Sequence, residues 1–206
     1  MLRRWLALCE VVFRTQRDYL TQLDAAIGDA DHGANMDRSF TAIEGAVGAL
    51  PADAPPASVL SASGETLVAA IGGASGALWG TALRRAGAAL CDDPEPDARR
   101  FAAALEAARD GIVELGVAEV GDKTMVDALA PALVALNAAL DRGEPLAEAM
   151  RNASAAADEG ARATIPMQAS KGRAAYLGER SVGHQDPGAT STALILRALS
   201  DAVDGH

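Results

Sequence analysis

The chain has 206 residues, a formal net charge of −10 at neutral pH, 50% hydrophobic residues and only 3% aromatic residues. This length predicts a single domain over residues 1–206 that folds without disulfides or a structural metal. The apolar content excludes a disordered chain, and the negative charge and scarcity of aromatic rings argue against nucleic acid or an anionic membrane as a partner.

Cysteine and hydropathy patterns point to the cytoplasm. Cys9 and Cys91 are too few and too far apart for a disulfide framework, which favours two reduced thiols. No apolar run approaches the 18 or so residues of a membrane span. We therefore expect a cytoplasmic protein.

Apolar residues recur at steps of three or four positions in eight segments, the spacing of amphipathic helices. The segments cover about residues 2–23, 35–50, 58–71, 75–90, 97–115, 122–140, 145–164 and 187–203. No segment alternates with the β-branched and aromatic character of a strand. The pattern predicts an all-α fold of about eight helices in an antiparallel, up-and-down arrangement.

Four polar, glycine-rich segments interrupt this pattern, at residues 23–35, 72–76, 116–125 and 167–191. In the first, a helix break at Gly28 would bring Asp29 and Asp31 back beside Asp24. Three carboxylates that close repel one another unless cations lie between them, and oxygen ligands favour Mg²⁺ or Ca²⁺ over zinc. An EF-hand is excluded because its twelfth position, counted from Asp29, is Phe40 instead of Glu. From spacing alone, solvated aspartates in a helix-end turn are an equal alternative.

Small residues precede predicted helices at residues 33–35, 72–76 and 186–191. Such helix starts expose backbone N–H groups that bind phosphate without lysine, although each alone is more often an ordinary helix cap. The chain contains neither a Walker A nor a Rossmann pattern. The only lysines, Lys123 and Lys171, and the nearby Arg173 either bind phosphate or lie in surface loops. For His32 we expect a positioning hydrogen bond.

A charge count links the aspartates to the helix starts. A nucleoside diphosphate carries roughly three negative charges and three carboxylates add about three, while two Mg²⁺ ions return about four. Helix N-termini and Arg173 would offset the remainder. The acidic cluster is therefore compatible with a phosphate ligand only when metal bridges the two.

In order and content, residues 23–35, 72–76, 121–125 and 172–191 resemble the ADP-binding L subunits of bacterial dihydroxyacetone kinases. The resemblance extends over essentially the whole chain. It implies a barrel of eight amphipathic helices with the nucleotide at one end.

The resemblance also implies a ligand set. Asp24, Asp29 and Asp31 would hold two Mg²⁺ ions against the phosphates of a tightly bound ADP or ATP, with Met125 near the adenine. The implied nucleotide contacts are His32, Gly33, Ala34, Asn35, Ala74, Ser75, Gly116, Met125, Arg173, Asp186, Pro187 and Gly188. Because metals and positioning carry phosphoryl transfer, we expect no protein nucleophile and assign no catalytic residue.

In kinases of this kind a separate K subunit holds dihydroxyacetone through a histidine, and the L subunit supplies the phosphoryl group. Because the chain ends at residue 206 without a substrate-binding domain, we expect the form coupled to the phosphoenolpyruvate phosphotransferase system. There the phosphohistidine of the M protein rephosphorylates the bound ADP. Two alternatives remain open: a nucleotide-exchanging, ATP-dependent kinase subunit of glycerone or fatty-acid kinase type, and a nucleotide-loaded module that binds a transcription regulator.

Overall fold

The structure, a computed structural model, describes residues 1–70, 74–90, 93 and 95–205. Within them the chain forms eight α-helices and no strand, which confirms the all-α prediction. The helices are α1 (Leu2–Ile27), α2 (His32–Gly48), α3 (Pro56–Ala70), α4 (Ala74–Leu90), α5 (Ala98–Gly116), α6 (Val126–Asp141), α7 (Leu146–Ala163) and α8 (Pro187–Asp204). A short 3₁₀ segment, Arg173–Ser181, lies between α7 and α8.

The eight helices form a closed ring. Each helix packs against the next one along the chain, and α8 packs against α1. In an up-and-down ring, every odd-numbered helix ends at the mouth where the following even-numbered helix begins. The ends of α1, α3, α5 and α7 and the starts of α2, α4, α6 and α8 therefore lie at one mouth. Three polar segments that the sequence set apart, residues 23–35, 116–125 and 167–191, lie at this mouth.

The interior of the ring is one apolar core. On α1, Trp5, Cys9 and Phe13 are buried at the predicted helical spacing, and Phe13 stacks on Phe40 of α2 with ring centroids 4.7 Å apart. Cys9 is a free thiol, whereas Cys91 lies outside the described residues. No helix in the described part of the chain is long and apolar enough to cross a membrane.

Two helix boundaries differ from the predicted segments by four residues, and both matter for the site. Helix α1 continues past residue 23 to Ile27, in agreement with the predicted break at Gly28, and this places Asp24 in its last turn. Helix α6 begins at Val126 instead of residue 122. The Asp127 carboxylate explains the second difference, because it accepts the N–H groups of Gly121 (2.6 Å) and Thr124 (2.7 Å) and holds residues 121–124 in a non-helical turn.

Candidate functional site

A cleft of about 290 Å³ opens at the mouth where the odd-to-even connections meet. Its lining comes from the helix ends and loops at that mouth, so residues far apart in sequence face one space. The sequence-predicted metal ligands and nucleotide contacts that line it are Asp24, Asp29, Asp31, His32, Asn35, Ser75, Gly116, Met125, Arg173, Asp186, Pro187 and Gly188. Lys123 and Lys171, the two lysines considered as phosphate ligands, line it as well.

Three other predicted residues lie elsewhere or cannot be placed in the lining. Gly33 and Ala34, in the first turn of α2, do not line the cleft. A Cβ at Gly33 would collide with the Arg17 carbonyl and the Thr21 side chain of α1, so this glycine allows the two helices to approach closely. Ala74 is the first residue of α4, and Gly72 and Gly73 lie outside the described residues.

The three aspartates converge on one point. Asp24, Asp29 and Asp31 each offer a carboxylate oxygen, and these oxygens lie within 4.8 Å of one another. Asp24 Oδ2 accepts the N–H groups of Asp31 (2.9 Å) and His32 (3.1 Å), which folds the loop back onto the end of α1. A Cβ at Gly28 would collide with Asp24 Oδ1 and Cγ, so only glycine leaves this carboxylate its position. Three hard, anionic oxygen ligands fit a divalent cation such as Mg²⁺.

Arg173 brings positive charge to the same place. Its Nη2 atom lies 2.9 Å from Asp29 Oδ2, and the two side chains are 69% and 34% exposed. An ion pair this exposed contributes little to stability, which leaves the guanidinium free to turn to a stronger anion. A planar guanidinium matches phosphate oxygens well, so Arg173 can serve a phosphate group beside the aspartates.

His32 lies buried beside the carboxylates, with 8% of its surface exposed. Burial lowers the pKa of His32, while the charges of Asp24 and Asp31 and a hydrogen bond with the Pro187 backbone oppose that effect. Its Nε2 atom has no hydrogen-bond partner. A buried, unpartnered nitrogen on the wall of a polar cleft indicates a partner supplied by a ligand.

Asp186 caps helix α8 and lines the cleft. Its carboxylate accepts the N–H of Ala189 at 2.7 Å, and its own N–H donates to the Thr164 hydroxyl at 2.9 Å. Burial raises the pKa of Asp186 to about 7, opposed by the Ala189 N–H and by the charge of Lys123. This residue therefore fixes the helix start that faces the cleft.

The rest of the cleft is formed by helix N-termini and by an apolar wall. Helices α2, α4, α6 and α8 all begin at this mouth, so the positive ends of their dipoles point toward the cleft. An apolar wall adds Ile27, Leu78, Ile112 and Val126, which the sequence did not single out. Their only sequence signal is a position within about one helical turn of a predicted cleft residue on the same helix.

Comparisons with known proteins identify the family of the chain. Residues 26–201 match the DAK2 domain family. The chain is 42% identical, over 97% of its length, to the ADP-binding subunit DhaL of the PEP-dependent dihydroxyacetone kinase of Escherichia coli K12, of which it covers 94%. It is also 42% identical over 98% of its length to D-erythrulose kinase of Mycolicibacterium smegmatis, but it spans only 35% of that protein.

A solved structure shows the same fold. The dihydroxyacetone kinase of C. freundii in complex with AMP-PNP and Mg²⁺ superposes with a TM-score of 0.71 at 27% identity, over 97% of this chain and 33% of that one.

Proposed function

This chain belongs to the DAK2-domain family, and from that premise we propose that it is the ADP-binding, phosphoryl-transferring subunit of a dihydroxyacetone kinase. The observation that carries the proposal is the convergence of three carboxylate oxygens within 4.8 Å of one another in a cleft faced by helix N-termini. Such a cleft repels a nucleotide without metal and attracts it with metal.

Each part of the cleft has a task in this proposal. Asp24, Asp29 and Asp31 hold Mg²⁺, which when bound neutralises negative charge on the transferring phosphoryl group. The charge count favours two ions. The N–H groups at the starts of α2, α4 and α8 and the Arg173 guanidinium orient the phosphates, while Met125 and the apolar wall cover the base and exclude water.

The chain needs no nucleophile of its own. Phosphoryl transfer depends on in-line positioning and on charge stabilisation, both of which this cleft supplies. Tight retention of ADP follows from the same features, because ordered N–H groups and fixed carboxylates lose little freedom when the nucleotide binds. We therefore include a tightly held nucleotide, recharged in place, in the proposal.

The partners in this proposal are a K subunit that holds dihydroxyacetone and the phosphohistidine-carrying M protein of the phosphotransferase system, both in the cytoplasm. Support comes from exposed apolar side chains next to cleft residues: Val117 is 71% exposed, Val120 66% and Tyr176 90%. Val117 adjoins Gly116, and Tyr176 lies three residues after Arg173, both of which line the cleft. Apolar groups gathered at a functional mouth favour coverage by another protein.

A second candidate is an ATP-exchanging subunit for a four-carbon ketose. The equal 42% identity to D-erythrulose kinase favours it. The two candidates differ in how long nucleotide stays bound: the first retains ADP through dialysis, whereas the second exchanges it within seconds to minutes.

Reconstitution tests the proposal. The purified chain is mixed with K and M proteins, phosphoenolpyruvate and the general phosphotransferase enzymes, and pyruvate release is followed with and without dihydroxyacetone. We expect pyruvate release that requires dihydroxyacetone and this chain. Absence of transfer from both phosphoenolpyruvate and ATP, to both dihydroxyacetone and erythrulose, would exclude both candidates.

A further inference from the structure

Lys123 is almost fully enclosed, with 1% of its surface exposed. Its ammonium donates to four backbone carbonyl oxygens, those of Thr164 (2.9 Å), Met167 (3.1 Å), Ser181 (2.8 Å) and His184 (2.5 Å). An ammonium has three hydrogens, so one of them serves two carbonyls. The ammonium is therefore bonded to backbone, and the sequence alternative of a surface loop is wrong for this lysine. Lys123 also lines the cleft.

The four carbonyls belong to both ends of the connection between α7 and α8, residues 164–186, called here the α7–α8 loop. Thr164 and Met167 begin the loop, and Ser181 and His184 lie near its end. Between these anchors the loop carries cleft-lining residues, including Arg173, and directly after it α8 starts. One ammonium thus ties both ends of the segment that brings Arg173 to the aspartates.

Lys123 is itself held in place by the preceding connection. Its backbone has φ of 61°, a left-handed conformation that is uncommon for a residue with a side chain. The turn over residues 121–124 imposes this conformation, because both Asp127 carboxylate oxygens accept N–H groups of that turn. The α5–α6 connection therefore supplies a fixed base from which the lysine reaches the α7–α8 loop.

A lysine suits this position better than other donors. Its compact ammonium directs hydrogens in three dimensions, whereas a guanidinium directs them in one plane. Burial lowers the pKa of Lys123 and the charge of Asp186 raises it, while the hydrogen bonds that the ammonium donates to carbonyls favour the charged form. Removing the ammonium would leave four carbonyls without this donor, and the loop would rearrange to solvate them.

We propose that Lys123 is a positioning residue for this site, which acts on the bound nucleotide only by holding the α7–α8 loop, and with it Arg173, against the cleft. The inference rests on the proposed function of the cleft as a nucleotide site. It assigns Lys123 no contact with phosphate.

A double-mutant cycle on MgADP affinity tests the inference. In the wild-type background Arg173→Ala should weaken binding by about ten-fold, the effect of losing a charged hydrogen bond. In a Lys123→Met background the same change should cost less than about two-fold, because Arg173 is already displaced. An equal loss in the two backgrounds, or wild-type affinity of Lys123→Met, would overturn the proposal.

A second measurement does not depend on nucleotide. In the nucleotide-free protein, Lys123→Met should accelerate hydrogen exchange at Ala169 and Gly183, whose N–H groups bond within the loop, and leave the amides of α3 and α4 unchanged. Unchanged exchange in the loop would contradict the inference. If the wild-type chain binds no MgADP, the proposed function fails, and this exchange experiment still decides whether Lys123 holds the loop.

Arg3→Met provides a matched control. Arg3 also donates to backbone carbonyls, those of Val47 (2.6 Å) and Pro51 (2.5 Å), but at the opposite mouth of the ring. Its replacement should lower stability and keep MgADP affinity. If Lys123→Met does not fold, Lys123→Arg takes its place in the cycle. We expect its effect on MgADP affinity and that of Arg173→Ala to be non-additive, because a planar guanidinium cannot replace the ammonium. Full additivity of the two effects would again refute the proposal.

Discussion

Asp29→Asn should change the affinity for ADP in opposite directions in the presence and absence of Mg²⁺. In the proposed site Asp29 is one of three carboxylate ligands of Mg²⁺, so the variant would lose a direct metal contact. Removal of groups that merely support metal ligands costs about 10- to 100-fold, so loss of a ligand should cost at least about 100-fold, or about 2.8 kcal/mol.

Without Mg²⁺ the same carboxylate repels phosphate. At a separation of roughly 5 Å, two unit charges interact by about 0.8 kcal/mol in water and about 3 kcal/mol at an effective permittivity of 20. Asp29 is 34% exposed, so a value near the lower limit applies. Its removal also releases Arg173 from the ion pair at 2.9 Å. Asp29→Asn should therefore strengthen ADP binding in EDTA by about five-fold, or about 1 kcal/mol.

Isothermal titration calorimetry in 5 mM MgCl₂ and in EDTA, at about 0.1 M salt, measures both arms. Asp37→Asn is the matched control, because Asp37 also forms an exposed ion pair, with Arg17 at 3.8 Å, and does not line the cleft. Equal changes of affinity with and without metal would refute the assignment of Asp29 as a metal ligand.

Three further predictions concern the supporting structure. Gly28→Ala should reduce Mg²⁺-dependent ADP binding at least about ten-fold and leave the circular dichroism spectrum unchanged, because the added Cβ displaces Asp24, a proposed Mg²⁺ ligand. Gly45→Ala is the control and should leave binding intact, because nothing lies within 4 Å of a Cβ at that position. Folding raises the pKa of Asp186 to about 7, so the folded chain keeps a proton that the unfolded chain releases, and stability should fall between about pH 4 and pH 7 as pH rises. Urea unfolding should show a loss of at most about 4 kcal/mol in the free energy of unfolding over this pH range, and a smaller loss in Asp186→Asn. The same dependence of the unfolding free energy on pH in both proteins would contradict the raised pKa of Asp186. Leu6→Ala, at a position 1% exposed in the core, should cost about 2–5 kcal/mol in denaturant unfolding and keep MgADP affinity; a loss below about 1 kcal/mol would contradict the core assignment.

Periodicity made the helices predictable because each helix must bury one apolar stripe. On α1, Trp5, Cys9 and Phe13 form that stripe, and they are buried in the structure. In an up-and-down arrangement, successive helices run antiparallel, so the ends of the odd-numbered helices and the starts of the even-numbered helices lie at one mouth. The aspartates could be placed together from sequence since Gly28 visibly ends the helix that carries Asp24.

Contacts between distant backbone groups left no sequence pattern. The carbonyls that receive the Lys123 ammonium lie 41 to 61 residues away, and a carbonyl is common to every residue type. The close approach of α2 to α1 at Gly33 could not be predicted for the same reason, because Gly33 lies against the backbone carbonyl of Arg17. The late start of α6 depends on Asp127, whose carboxylate binds the preceding turn. In the sequence, Asp127 cannot be told from an ordinary acidic residue in the first turn of a helix.

A crystal grown with ADP and Mn²⁺, measured at the manganese absorption edge, tests the proposed metal site. We expect anomalous density between the carboxylates of Asp24, Asp29 and Asp31 and the pyrophosphate, with the base against the apolar wall. Ordered ADP elsewhere, or bound in this cleft with no anomalous density beside the three carboxylates, would contradict it.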